Sequence, residues 1–168
     1  MTPAEKVQLI RGYAGRYPGL RVFIETGLWQ GTGSWEGVRD LFETTIVVDL
    51  QESNVEAAEK KGVGFGLVGD SGRALPGLLR QIDRPALFWL DAHLMEEYDA
   101  EGDACPLLAE LDAIVHWKYG AGSLILIDDM RLMDGGRAGY PTREQIDQVV
   151  SGVGWPREET DDILALLP

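Results

Sequence analysis

Short β-branched and apolar runs alternate with amphipathic stretches along the whole chain. RVFIETG (21–27), TTIVVDL (44–50), GFGLVGD (64–70), ALFWLD (86–91), SLILIDD (123–129) and DDILALL (161–167) predict six strands. Several are apolar at consecutive rather than alternate positions, the pattern of strands covered by helices on both faces. Helix starts punctuate the gaps. Thr2-Pro3-Ala4-Glu5 reads as a capping box with proline at the first helical position, and Ser53-Asn54-Val55-Glu56 repeats the box. Thr142-Arg143-Glu144-Gln145 is its glutamine variant. Pro106 opens a helix whose Leu107, Leu108, Leu111, Ile114 and Val115 share one face, with Gly120 or Gly122 closing it. A weaker helix is predicted near Ala74–Leu79, where Pro76 and Gly77 suit only the first turns. This order predicts an α/β fold with a mostly parallel sheet, built as one domain over residues 1–168.

In such sheets ligands sit outside the carboxyl ends of the strands, near the point where strand order reverses. Each of the first five predicted strands ends in a carboxylate: Glu25, Asp49, Asp70, Asp91 and the pair Asp128-Asp129. A single carboxylate at a strand end is commonplace, but five at corresponding ends point to a shared site.

The first strand runs into Glu25-Thr26-Gly27-Leu28-Trp29-Gln30-Gly31-Thr32-Gly33. Gly27, Gly31 and Gly33 permit a tight turn and close approach of a ligand to the backbone, and a following helix start would offer N–H groups. The spacing is not that of a dinucleotide loop, and no Lys-Ser/Thr follows as a phosphate loop requires. Glu25 would repel a pyrophosphate but could receive an ammonium group. Asp49 falls 22 residues after Gly27, where a carboxylate can accept hydrogen bonds from a ribose diol, or simply end a strand in water. Asp70 and Ser71 could hold an adenine amino group or cap the next helix. Asp91, Asp128 and Asp129 would meet if strands four and five are neighbours, and a hard divalent cation would relieve their repulsion. His93, two residues beyond Asp91, could be a further ligand or a base.

Bulk properties narrow the partners. The net charge of −13 opposes nucleic acid and anionic membrane surfaces and favours a small-molecule ligand or a metal ion. No apolar stretch approaches the length of a membrane span, and the N-terminus has no apolar signal core. Cys105, the single cysteine, cannot form an internal disulfide, which fits a reducing cytoplasm.

The ordered motifs resemble those of class I S-adenosylmethionine-dependent methyltransferases over roughly residues 20–130. The similarity is greatest to small bacterial members with strands and helices like FWLDAH (88–93), CPLLAEL (105–111) and LIDDMR (126–131). The resemblance implies a Rossmann-like sheet sandwiched by helices, here truncated at the C-terminal strand pair because one final strand is predicted. It implies S-adenosylmethionine as cofactor, held by Glu25, Gly27, Gly31, Gly33, Asp49, Asp70, Ser71 and Asp91. By similarity to catechol-type and macrolide-sugar O-methyltransferases, Asp91, Asp128 and Asp129 fall on Mg²⁺-ligand positions. The catechol-type lysine three residues past the strand-four Asp is Leu94 here, which leaves His93 as the nearest base. The expectation is metal-assisted O-methylation of a small-molecule hydroxyl, with His93 and Asp91 catalytic. Metal-free transfer with His93 as base, and a non-catalytic cofactor-binding module, stay open. With one helix ahead of the first strand as a lid, the pocket should be open, which favours a homodimer.

Overall fold

The computed structural model describes residues 1–92, 105–135 and 139–168. The strands are β1 (Val22–Thr26), β2 (Thr44–Asp49), β3 (Phe65–Val68), β4 (Ala86–Leu90), β5 (Leu124–Ile127), β6 (Arg157–Thr160) and β7 (Ile163–Leu166). The helices are α1 (Pro3–Arg16), α2 (Trp35–Val38), α3 (Glu52–Lys60), α4 (Ser71–Leu79), α5 (Leu107–Val115) and α6 (Arg143–Val150). One seven-stranded sheet runs in the order β3-β2-β1-β4-β5-β7-β6. The five strands from β3 to β5 are parallel, whereas β7 is antiparallel to both β5 and β6.

The consecutive apolar runs have a plain cause. Successive side chains of a strand point to opposite faces, and here both faces are covered. Ile24, Phe88 and Ile125 face one side with Leu75 of α4, Leu111 of α5 and Ile146 of α6. Phe23, Trp89 and Leu126 face the other with Ile10 of α1, Trp35 of α2 and Ala58 of α3. No helix among the described residues is long and apolar enough to cross a membrane.

Several expectations need correction. The closing strand pair is present, so the sheet is not truncated. β6 carries the sequence Arg-Glu-Glu-Thr and is mostly solvent-exposed, so it lacks the apolar signature of its neighbours. It is a charged edge strand, held by Arg157 to Asp147 and by Arg143 to Glu159. Asp161 and Asp162, expected within the last strand, form the turn between β6 and β7, with Asp161 at φ +52°. The capping boxes at Thr2 and Thr142 form as expected. The one at Ser53 does not: α3 starts at Glu52, and Gln51 stands at its cap without a side-chain cap bond. α4 begins at Ser71, earlier than expected, so Pro76 lies inside it. α5 ends at Val115 with His116 at its cap, and Gly120 and Gly122 belong to a separate 3₁₀ turn.

Candidate functional site

The chain runs outward from β1 through β2 to β3, then crosses back to β4 and β5 on the other side of β1. Strand order therefore reverses between β1 and β4, and sheets of this kind bind ligands in a crevice outside the carboxyl ends at that point. Backbone bonds continue past the strands and align those ends. The Gly27 N–H donates to the Val48 carbonyl (2.9 Å), Asp91 N–H to Thr26 (3.0 Å), and Asp128 N–H to Leu90 (3.0 Å). The sheet register thus sets Gly27, Asp91 and Asp128 side by side.

Gly27 is required here. Its φ is +82°, and a Cβ at this position would stand 2.5 Å from the Asp91 carbonyl oxygen. The loop beyond it is a two-residue hairpin turn. Gln30 (φ +50°) and Gly31 (φ +69°) are its central residues, and Trp29 and Thr32 exchange backbone bonds of 2.8 and 3.1 Å. Gly33 packs against the Glu25 carboxylate, and a Cβ there would be 2.8 Å from Oε2.

Glu25 is 2% exposed and shapes this loop. Its Oε1 accepts from the Ser34 N–H and its Oε2 from the Trp35 N–H, both at 2.8 Å. These are the amides at the start of α2, so the N–H groups expected to face a ligand are taken by the chain's own carboxylate. Burial pushes the Glu25 carboxyl up to about 8, with the two N–H bonds opposing it. Asp49 ties the loop to β2. Its Oδ2 accepts from Leu28 N–H (2.6 Å), and its Oδ1 from Gln51 N–H (2.8 Å) and Asn54 Nδ2 (3.0 Å). Asn54 Nδ2 also donates to the Leu28 carbonyl at 3.0 Å. A carboxylate has about four acceptor positions, so these three donors leave Asp49 room for one more.

Asp70 caps α4, its Oδ1 accepting from the Arg73 N–H at 3.1 Å. Behind the crevice, Ser71, Thr26 and Glu110 form a buried polar group. Their side-chain oxygens act on one another electrostatically but close no hydrogen bond of ordinary geometry. Burial pushes the Glu110 carboxyl up to about 7, against the opposing pull of Ser71 and Thr26. Glu110 lies in the CPLLAEL segment, where its place on the apolar face of α5 was the available signal. Cys105 opens that segment; its buried thiol is pushed up to about 12, which keeps it protonated.

The other half of the crevice is ionic. Lys6 of α1 places its ammonium 3.1 Å from Asp91 Oδ2 and in contact with Asp128 Oδ2. Burial works against the Lys6 charge, but Asp91 and Asp128 outweigh it and raise its pKa above the ordinary lysine value. Asp128 Oδ1 accepts from the Asp129 N–H at 2.7 Å. Asp129 adopts a left-handed conformation at φ +57°, and its carboxylate meets Arg131 Nη1 at 2.5 Å. Arg131 also binds Asp162 from the β6–β7 turn.

The expected metal trio is therefore brought together only in part. Asp91 and Asp128 are neighbours across Lys6. Among the described residues, the carboxylates that each place an oxygen within 4.8 Å of one another are Asp128, Asp129 and Asp162. Two of those are already bound to Arg131. Asp128 faces Lys6, and Asp129 and Asp162 share Arg131, so the oxygens a divalent cation would need are engaged by the chain's own cations, and as arranged these donors do not fit one. His93 and the acidic segment that follows it lie outside the described residues. Lys6 and Asp162 were not singled out from the sequence. Both reach the site from distant positions, and only the predicted helix start at Thr2 hinted that α1 has a fixed place.

No family model matches the chain, and no curated protein does. Solved structures do. An S-adenosylmethionine-dependent methyltransferase from Clostridium acetobutylicum superimposes with TM-score 0.63 at 11% identity, covering 99% of this chain and 91% of that one. A sugar N-methyltransferase from a Streptoalloteichus species gives TM-score 0.64 at 14% identity, covering 99% and 87%. A Staphylococcus aureus protein provisionally assigned as a caffeoyl-CoA O-methyltransferase gives TM-score 0.63 at 13% identity, covering 96% and 81%. The chain thus has the Rossmann-like fold of the class I S-adenosylmethionine-dependent methyltransferases.

Proposed function

We propose that the protein is an S-adenosylmethionine-dependent methyltransferase acting on a hydroxyl of a small molecule. The observation that carries this reading is the strand-order reversal between β1 and β4, with the Gly27–Gly33 loop tied to Asp49 on one side and Asp91 on the other. One feature supports the cofactor: Asp49 keeps one acceptor position, which suits a ribose hydroxyl.

When bound, the sulfonium supplies an electrophilic methyl group for in-line displacement. The chain's task is alignment, since holding nucleophile and methyl at attack distance accounts for much of the rate. Asp49 would orient the ribose and Asp70 would face the adenine, whereas the expected role of Ser71 there does not stand, because its hydroxyl is buried beside Glu110. Gly27, Gly31, Gly33, Glu25 and Asp91 would bound the methionine end, with Glu25 acting chiefly by holding the loop in shape. His93, two residues past Asp91, is proposed to take the acceptor proton. Of the metal-assisted and metal-free routes, the ammonium between Asp91 and Asp128 favours the metal-free one.

Incubation with methyl-labelled S-adenosylmethionine and a panel of sugars, phenols and amines tests the reading. Label should pass to a hydroxyl-bearing acceptor at a rate unaffected by chelator, and His93→Ala should slow it by about 10²–10⁴-fold. Transfer only to amines would refute the hydroxyl assignment. Cofactor binding without transfer to any acceptor would leave a binding module.

A further inference from the structure

Lys6 is held in the crevice by more than its own side chain. Its helix buries Ile10, Tyr13 and Ala14 against the sheet. Arg11 donates to the Gly37 carbonyl at 2.8 Å and pairs with Asp40, which ties the helix to the segment after β1. Tyr13 donates to Glu158 at 3.0 Å, and Arg16 pairs with Glu158 at 2.6 Å, which ties it to the far edge of the sheet. A helix anchored at both flanks presents the ammonium from a fixed position. The ammonium also lies 5.8 Å from the centroid of the Trp89 ring, a residue of β4 with no exposed surface.

The two carboxylates it joins are brought together by sheet register and would repel one another alone. Asp128 is the more demanding partner, with a side chain only 2% exposed. A buried carboxylate left as an anion without a counter-charge is strongly unfavourable, and the Lys6 ammonium stands where that counter-charge is needed. A divalent ion and an ammonium cannot both occupy that position, since each needs the facing oxygens of Asp91 and Asp128.

We infer that Lys6 is the resident cation of this site. The chain supplies an ammonium at the position between the β4 and β5 carboxylates that the resemblance gives to Mg²⁺. For its catalytic meaning the inference rests on the methyltransferase reading. An ammonium donates hydrogen bonds but offers no open coordination position, so it cannot activate an acceptor oxygen as a Lewis acid. Lys6 is thus a positioning residue that sets the dyad's geometry, and removing its charge should uncover a metal site that the natural chain closes.

The test is a titration of the full chain with Mn²⁺ alone, followed by water-proton relaxation. The natural chain should show no saturable binding below about 1 mM, while Lys6→Met, which keeps the apolar stem, should bind about tenfold tighter or more. Adding Asp128→Asn to Lys6→Met should abolish the gain, and Lys6→Arg should behave like the natural chain. A folded Lys6→Met protein with no gain in affinity would overturn the inference. So would micromolar Mn²⁺ binding by the natural chain that Asp128→Asn removes, an outcome that needs no folded lysine variant. Calorimetry with S-adenosylmethionine on the same natural protein keeps the two readings apart. Absence of cofactor binding would remove the methyltransferase reading and leave the Mn²⁺ result to decide the role of Lys6.

Discussion

The two halves of the crevice satisfy their carboxylates by opposite means. On the β1–β2 side, Glu25 and Asp49 accept backbone N–H groups from the loop they shape, with Asn54 as the one side-chain donor. On the β4–β5 side, Asp91, Asp128, Asp129 and Asp162 are met by Lys6 and Arg131. A carboxylate held by amides fixes the path of the chain, whereas one held by an ammonium or guanidinium fixes charge. On the proposed reading, the first half would cradle the cofactor and the second would set the charge around the group that reacts with it.

The largest expected effect is a split between the halves. Asp49→Ala removes the proposed ribose acceptor together with the three bonds that hold the glycine loop, and should weaken S-adenosylmethionine binding by roughly 10- to 100-fold, as expected for loss of a hydrogen bond to a charged group worth about 1.5–3 kcal/mol. Asp128→Asn should leave that affinity within about threefold, because its partners belong to the ionic half. Calorimetry of the two variants reads the contrast directly. Equal losses would mean that the crevice does not divide in this way.

A smaller effect tests the buried group beneath both halves. Glu110 ordinarily titrates near 4.5 but is pushed up to about 7 in the folded chain. The folded state therefore binds its proton more tightly than the unfolded state does. That contribution to stability is fully present below about pH 4.5 and is lost as pH rises through about 7. Glu110→Gln should thus gain on the natural chain between pH 5 and pH 8, by on the order of 2–3 kcal/mol in denaturant unfolding. Parallel stability profiles for the two proteins would show that Glu110 titrates as an ordinary carboxyl.

How much of this could be read from the residues follows from the same physics. β1, β2, β4 and β5 were legible because burial on both faces demands consecutive apolar residues, and their ends marked the crevice. β6 was hidden because an edge strand with exposed faces can be Arg-Glu-Glu-Thr, which resembles a loop. The false capping box at Ser53 has a different cause. Asp49 binds Gln51 and Asn54, and this local knot sets where α3 begins. The neighbourhood of Asp91 and Asp128 followed from two strands being adjacent, a short inference. Lys6 and Asp162 required knowing where α1 and the β6–β7 turn come to rest, which no spacing within the chain encodes.

The location of the cofactor is the most direct test of the whole account. Backbone amide shifts can be followed by NMR as S-adenosylhomocysteine, the demethylated product, is added to the isotopically labelled protein. The account predicts the largest changes at Gly27, Leu28, Gly31 and Gly33, with smaller ones at Asp70 and Asp91. A second cleft, between α6 and β6, is lined by Arg143, Asp147 and Arg157. Shifts centred there, with the glycine loop unmoved, would contradict it.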